Sequence, residues 1–394
     1  VLGSNPKVVR DQVIDLLNTC GPSTGLFHEF EYKLGKKISD SIATVDMFRM
    51  LGSGTEACMV ACRVARLATK KRNIIKMGGA YHGWSDQLGY GIRIPGSKFT
   101  QAHGVPLYVF KHTQEFFPND LNSLERVLKK NQLTGGTAAV FIEPVGPESG
   151  TRPLDKDFNK GVERLCRKYG ALLVFDEVVT GFRIGMAGAQ GYFGVSPDLT
   201  IFGKVIAGGY PGAGGIGGKR EYMKYLGAGL DGNQKIHKAF CGGTMAATPI
   251  SCCAGYFTLE EIDKTNACYK AGIMGDRITK GLNEIIERRH LPFVAFNQGS
   301  ICHLECSGAM SYDFSSMFLP ASVIPMLKAK PEMLRRKVAM EQMGAAYMAH
   351  GIVTLAGSRL YTSLADTDDV IDDALNRFED VFKTVTKCTR NLDK

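Results

Sequence analysis

The sequence has no apolar run long enough to cross a bilayer, so no membrane-spanning helix is expected. It has eleven cysteines but no CxxC repeat and no histidines at zinc spacing. Neither a metal site nor a disulfide framework is therefore indicated. Several of the cysteines (Cys58, Cys62, Cys252, Cys253) sit inside apolar, helix-like runs, as buried reduced thiols of a cytoplasmic protein do. Lys and Arg exceed Asp and Glu by nine, but no basic run carries interleaved aromatics. Runs such as Lys70-Lys71-Arg72 and Arg335-Arg336-Lys337 read as solvated faces, and no nucleic-acid partner is expected. Repeats and low-complexity segments are also missing. The glycine-rich stretch 208–218 lacks the helix start, and the acidic residue about 20 positions on, that a dinucleotide site requires. Residue 1 is Val, so the chain is expected to begin inside a longer one, and no signal peptide is recognisable at this end.

What is present is an ordinary globular composition, 44% hydrophobic and 22% charged, over 394 residues. That length exceeds one hydrophobic core and predicts a large and a small domain. The pattern predicts helices over 6–19, 27–43, 54–69, 121–130, 157–169, 249–260 and 267–289. Short apolar strands are expected at 73–77, 137–142, 172–178 and 199–204, with residues 85–107 as an irregular active-site loop. Strands near 293–296 and 301–305 and helices near 332–350 and 368–387 complete the tail. Alternating strands and helices argue an α/β fold with a mostly parallel sheet flanked by helices, followed by a smaller α+β domain. The expected boundaries are 1–260 and 261–394, with residues 1–19 open to packing on the smaller domain.

Four motifs carry chemistry. The run Leu172-Leu173-Val174-Phe175-Asp176-Glu177-Val178 carries acid toward its end, and Leu199-Thr200-Ile201-Phe202-Gly203-Lys204 ends in base. In an open α/β sheet the carboxyl ends of the strands face the ligand. A lysine there forms a Schiff base with an aldehyde cofactor, and an aspartate keeps a pyridine nitrogen protonated, which is the requirement of pyridoxal phosphate chemistry. A lysine at the mouth of an apolar strand is expected to be poorly solvated, which favours the neutral amine. Ser53-Gly54-Thr55 opens a long helix, where unpaired N–H groups suit a phosphate, although the same residues serve as a plain N-cap. Tyr81-His82-Gly83-Trp84 follows a strand, where an aromatic can stack on a flat ring or simply join the core. Val178, two residues beyond Asp176, can point the same way.

These stretches occur together in one order: SGTEA at 53–57, IIK…YHGW at 74–84, FIEPV at 141–145, LLVFDEVVTGFR at 172–183, PDLTIFGKVIAGGYP at 197–211 and GGT at 242–244. In this the chain resembles the class III (subgroup II) aminotransferases of pyridoxal phosphate fold type I, nearest to their aminomutase branch. The resemblance implies a seven-stranded-type sheet. It implies that Ser53, Gly54 and Thr55 hold the phosphate, and that Tyr81 and Val178 face the two sides of the ring, with His82 beside it. Asp176 would pair with the pyridine nitrogen and Lys204 would carry the Schiff base. Glu143 would be an acid near the cofactor. Thr244 would reach the phosphate of the neighbouring subunit, which makes the active unit a homodimer with shared sites. The substrate implied is a small amine or amino acid, taken through aminotransferase or aminomutase chemistry. An ammonia-lyase or epimerase uses the same machinery, and a silent scaffold remains the alternative from another class. The departures from the family pattern, such as Met245-Ala246-Ala247-Thr248-Pro249 after the Thr, lie around the substrate.

Overall fold

The computed structural model describes residues 1–93, 95–97, 103–227, 237–306 and 337–392. The chain divides into two compact units, residues 4–265 and residues 266–394 together with 1–3.

In the larger unit, seven strands form one sheet. They are β1 (Met47–Leu51), β2 (Asn73–Met77), β3 (Thr113–Phe116), β4 (Thr137–Ile142), β5 (Leu172–Asp176), β6 (Leu199–Gly203) and β7 (Gly214–Gly218). Their spatial order is β1-β7-β6-β5-β4-β2-β3. The pairs β3–β2–β4–β5–β6 are parallel, and β7 runs antiparallel to both β6 and β1. Every residue of β2, β4, β5 and β6 is buried, which is why each reads as a short apolar run rather than an alternation. The helices are α1 (Lys7–Thr19), α2 (Glu29–Ser41), α3 (Gly54–Thr69), α4 (Leu121–Gln132), α5 (Phe158–Tyr169) and α6 (Pro249–Thr265). One face of the sheet meets α3, whose apolar stripe Ala57, Ala61, Val64 and Ala65 packs with Ile74, Phe141, Val174 and Ile201. The other face, with Ile75, Val140, Leu173 and Phe175, packs on α4 and α5 through Leu124, Leu128, Phe158 and Val162. The α/β architecture expected from the alternation is therefore present.

The smaller unit holds a three-stranded antiparallel sheet in the order β10-β9-β8, built from β8 (Val294–Gln298), β9 (Ile301–Glu305) and β10 (Arg359–Tyr361). Helices α7 (Ala267–Arg288) and α8 (Asp368–Leu392) share its core through Leu282, Ile371 and Phe378. The helix expected near 332–350 covers 337–349; its first five positions lie outside the described residues, as do positions 94 and 98–102 of the expected loop.

Strands β1, β3, β7 and β10 were not anticipated from the sequence. The case of β7 matters most for the site. Its residues are Gly214-Gly215-Ile216-Gly217-Gly218, a composition that disfavours a strand. Space, rather than propensity, dictates it. A Cβ on Gly214 would lie 2.2 Å from the backbone of Ser53, and one on Gly215 would lie 2.5 Å from the ring of Phe48. The bare backbone of β7 thus lets the start of α3 lie directly on the sheet. Among the described residues no helix is long and apolar enough to cross a membrane.

Candidate active site

The carboxyl ends of β5 and β6 lie side by side, with Asp176 in register with Ile201. Asp176 closes β5, and Lys204 opens a short 3-10 turn, Lys204–Ala207, immediately after β6. Both line one cavity of about 290 Å³, with Gly52, Ser53, Gly54, Thr55, Cys58, Tyr81, Gly83, Val178 and Ala213. The structure therefore brings together Ser53, Gly54, Thr55, Tyr81, Asp176, Val178 and Lys204.

One end of the cavity is the N-terminus of α3. Ser53 is its N-cap, and its hydroxyl accepts from the Glu56 N–H at 3.2 Å. Glu56 in turn accepts from the Gly52 N–H at 2.9 Å. This reciprocal arrangement resembles a capping box. The two readings of the SGT motif thus coexist: Ser53 spends its hydroxyl on the cap, while Gly54 and Thr55 occupy the first helical positions, whose N–H groups have no intrahelical partner. The positive end of the helix dipole adds to an anion-binding potential there.

The floor is Val178. A Cβ on Gly54 would approach its Cγ2 to 2.8 Å, and one on Gly203 would approach its Cγ1 to 2.9 Å. Two glycines thus seat one half-buried valine. Gly83 (φ +81°) carries the Tyr81–Trp84 segment onto Thr55, where a Cβ would fall 2.5 Å from the Thr55 hydroxyl. Tyr81 is 45% exposed and lines the cavity.

Asp176 is held from behind. Its Oδ2 accepts from His82 Nδ1 at 2.8 Å and from the Cys58 thiol at 3.7 Å, and its Oδ1 accepts from the Val178 N–H at 3.2 Å. His82 is fully buried, and burial pulls its pKa down, so the ring is neutral at physiological pH with the proton on Nδ1. Its Nε2 has no partner among the described residues. Burial and the Asp176 charge push the Cys58 thiol well above its usual range, so it stays S–H and donates. The cluster Cys58, His82 and Asp176 has the spacing of a metal site, and its thiol and imidazole both donate to the carboxylate. Neither His82 nor Cys58 declares this arrangement in the sequence. For Cys58 there was a usable signal, since it lies one helical turn beyond Gly54 on the same face.

Lys204 departs from expectation in one respect. It is exposed to the cavity mouth rather than poorly solvated. Its backbone sits at φ +49°, a conformation costly for a residue with a Cβ and typical of functional turns.

Three expected residues are not on the cavity wall: Glu143, Thr244 and His82, which lies buried behind Asp176. Glu143 is 6% exposed and faces backbone: its Oε1 accepts from the Tyr81 and Glu148 N–H groups (2.8 and 2.9 Å), and its Oε2 accepts from the Ser149 N–H (2.5 Å). Burial, followed by the Asp176 charge, pushes its pKa up to about 7. Thr244 is exposed and outside the lining of its own chain's cavity. Glu177, next to Asp176, turns away and accepts from the N–H groups of Ala189 and Gln190 at the start of the short helix Gly188–Phe193.

Comparison with known proteins places this geometry. The family model of class-III aminotransferases matches residues 4–382. A glutamate-1-semialdehyde 2,1-aminomutase of Legionella pneumophila (strain Paris) is 38% identical over 302 residues, 75% of this chain and 67% of that protein. The matched stretch thus spans about two thirds of that relative. An omega-transaminase from Sphaerobacter thermophilus superposes with a TM-score of 0.80 at 25% identity, covering 96% of this chain and 83% of that one. A transaminase with PLP bound superposes with a TM-score of 0.82 at 22% identity, covering 99% and 85%.

Proposed function

Because the chain belongs to the class-III aminotransferase family, whose enzymes depend on pyridoxal phosphate, we propose that this cavity holds that cofactor and transfers amino groups on a small amine or amino acid. The observation that carries the reading is the placement of Asp176 and Lys204 at adjacent strand ends on one cavity.

The residues fit the group. The free N–H groups of Gly54 and Thr55 suit a phosphate dianion. Val178, seated between Gly54 and Gly203, offers a flat apolar floor, and Tyr81 lines the cavity. Asp176 holds Oδ2 against His82 and Cys58, and Oδ1, which accepts from the Val178 N–H, keeps a second lone pair for a protonated ring nitrogen. When bound, pyridoxal phosphate supplies an electron sink for charge developing on the substrate carbon. Lys204 would hold the cofactor through its amine and, once a substrate amine has taken its place there, the freed amine would take the proton from the substrate carbon and return it. Neutral His82 donates to Asp176 and keeps that carboxylate oriented. The atom to which Lys204 returns the proton decides between transamination and amino-group migration.

We place the active unit as a homodimer with shared sites. Thr244 lies off its own cavity, and the chain around it presents exposed apolar side chains, Phe240 and Met245. The Ser23 hydroxyl donates to the Met245 sulfur at 3.5 Å and His28 Nε2 donates to the Ala247 carbonyl at 2.8 Å. These contacts bring exposed Leu26 and Phe27 to the same patch. Large apolar side chains left exposed close together in this way favour association. The ten described cysteine side chains are all free, which supports a reducing, cytoplasmic setting.

The test is a screen of amines and amino acids with and without a keto-acid acceptor, following cofactor absorbance and ammonia. Acceptor-dependent amino transfer, or isomerisation without an acceptor, supports the proposal. Ammonia released without an acceptor points to a lyase, and absence of any cofactor band overturns the reading.

A further inference from the structure

The IIK segment of β2 ends in Lys76, a lysine with no exposed surface. Its Nζ donates to the carbonyl oxygens of Ala80 (2.9 Å), Leu88 (3.2 Å) and Tyr90 (2.6 Å). Three carbonyls use all three ammonium protons. The loop that carries Tyr81, His82 and Trp84 is thus wrapped around an internal cation. Glu143 grips the same loop from the other side, at the Tyr81 N–H. The Ala80 carbonyl and the Tyr81 N–H belong to one peptide plane. That plane is therefore held at its oxygen by a buried cation and at its nitrogen by a buried carboxyl, immediately before a side chain that lines the cavity.

We infer that Lys76 and Glu143 are positioning residues that act as a two-ended clamp on the Ala80–Tyr81 peptide and so set the angle at which Tyr81 meets a flat ring in the cavity. The ring is that of the proposed cofactor, so this inference rests on the functional reading for its purpose but not for its geometry. Burying two ionisable groups is costly unless each is fully hydrogen-bonded. Lys76 meets that condition through carbonyls and Glu143 through N–H groups. The titratable groups that face Lys76 are Glu115, Glu143, Cys58, Asp176 and the Tyr90 ring, and burial among them pulls its pKa down to about 8. A methionine at position 76 and a leucine at 143 would fill the space with far less desolvation. A packing role alone therefore does not account for this pair.

The experiment labels alanine with carbonyl carbon-13 and tyrosine with nitrogen-15. Two Ala–Tyr pairs occur in the sequence, Ala80–Tyr81 and Ala346–Tyr347, and a Tyr81→Phe variant assigns them. Spectra are taken without cofactor on wild type, Lys76→Met, Glu143→Gln and the double variant. Glu143→Gln is expected to move the Tyr81 amide proton upfield, because an amide oxygen is a weaker acceptor than a carboxylate. Lys76→Met is expected to move the Ala80 carbonyl carbon, and the Ala346–Tyr347 pair stays in place in both. In the loaded enzyme each single variant loses circular dichroism of the cofactor band while still binding cofactor, and the double variant loses no more than the worse single one, because both act on one plane. Trp84, the single tryptophan, reports through its fluorescence that the loop remains ordered. Should Lys76→Met fail to fold, the double variant, which removes both buried charges, carries the same readings. Unmoved Ala80 and Tyr81 signals overturn the clamp. Moved signals with unchanged cofactor dichroism overturn its positioning role. A wild-type protein with no cofactor band overturns the functional reading while the unloaded spectra still decide the clamp.

Discussion

The seat of Val178 gives the most direct test of the cavity. Gly203 ends β6 with extended backbone (φ −170°, ψ −169°), so alanine there meets no backbone strain. Its Cβ would instead lie 2.9 Å from Val178 Cγ1, 3.2 Å from Val178 Cγ2 and 3.1 Å from the Ala213 carbonyl oxygen. The Ala213 carbonyl is part of the cavity wall and yields little. Val178 is half-buried with its open side on the cavity, so it is the group that moves, and it moves into the space of the ring. Overpacking of one methyl group costs about 1–3 kcal/mol. The stability of the unloaded protein should fall little, since Val178 has room to shift, and the cost should appear in cofactor affinity as a loss of about 5–150-fold. The assay is a cofactor titration followed by absorbance, with thermal melts of the unloaded protein alongside. Val178→Ala in the same chain removes the displaced methyl groups, so Gly203→Ala/Val178→Ala should bind more tightly than Gly203→Ala alone. If Gly203→Ala binds like wild type, or if the double variant binds more weakly than either single one, Val178 is not the floor of the cofactor site.

Three further outcomes are expected. Borohydride reduction of the loaded protein should fix the cofactor on Lys204, and Lys204→Ala should retain cofactor binding while losing turnover by several orders of magnitude; peptide mapping that places the label elsewhere refutes the assignment. Mixing inactive Lys204→Ala chains with inactive Thr244→Arg chains should restore activity, because each heterodimer then contains one intact site; no recovery in confirmed heterodimers assigns the Thr244 turn to its own chain. Glu143 titrates near 7 in the folded protein against about 4.5 when unfolded, so between those values the folded state binds the extra proton and stability falls as pH rises. Denaturant melts across that window should show this loss in wild type and a flatter profile in Glu143→Gln; parallel profiles contradict the raised pKa.

The sequence announced the centre of the sheet and missed its edges, for a physical reason. Strands β2, β4, β5 and β6 are buried on both faces, and such strands are short apolar runs bounded by turns. Strand β7 has one side chain larger than hydrogen, and what makes it a strand is the room demanded by Ser53 and Phe48, neither of them near it in sequence. Asp176, Lys204 and the start of α3 were legible because strand ends and helix starts are marked locally. Glu143 was singled out for the cofactor, yet its carboxylate faces the Tyr81, Glu148 and Ser149 backbone, and no local pattern encodes which peptide a carboxylate meets. The burial of Lys76 was equally hidden, since a lysine at the end of a strand reads as snorkelling until the loop around it is seen.

The glycine strand also bears on the order in which the molecule assembles. Strand β1 is attached to the sheet only through β7, and the two are separated by more than half of the larger unit's sequence. With Ile216 as its single large side chain, β7 has little with which to find its register before β6 is in place. Contacts this distant in sequence carry a large loop-closure cost and form late. The seat of α3 rests on Gly214, so the anion-binding end of the cavity is expected to be finished among the last features of folding. A ligand that needs that end can bind only chains that have completed the sheet, and its binding then draws the population toward them. On this account the cofactor stabilises the joined outer strands by mass action, so they should be better protected from exchange in the loaded protein than in the unloaded one.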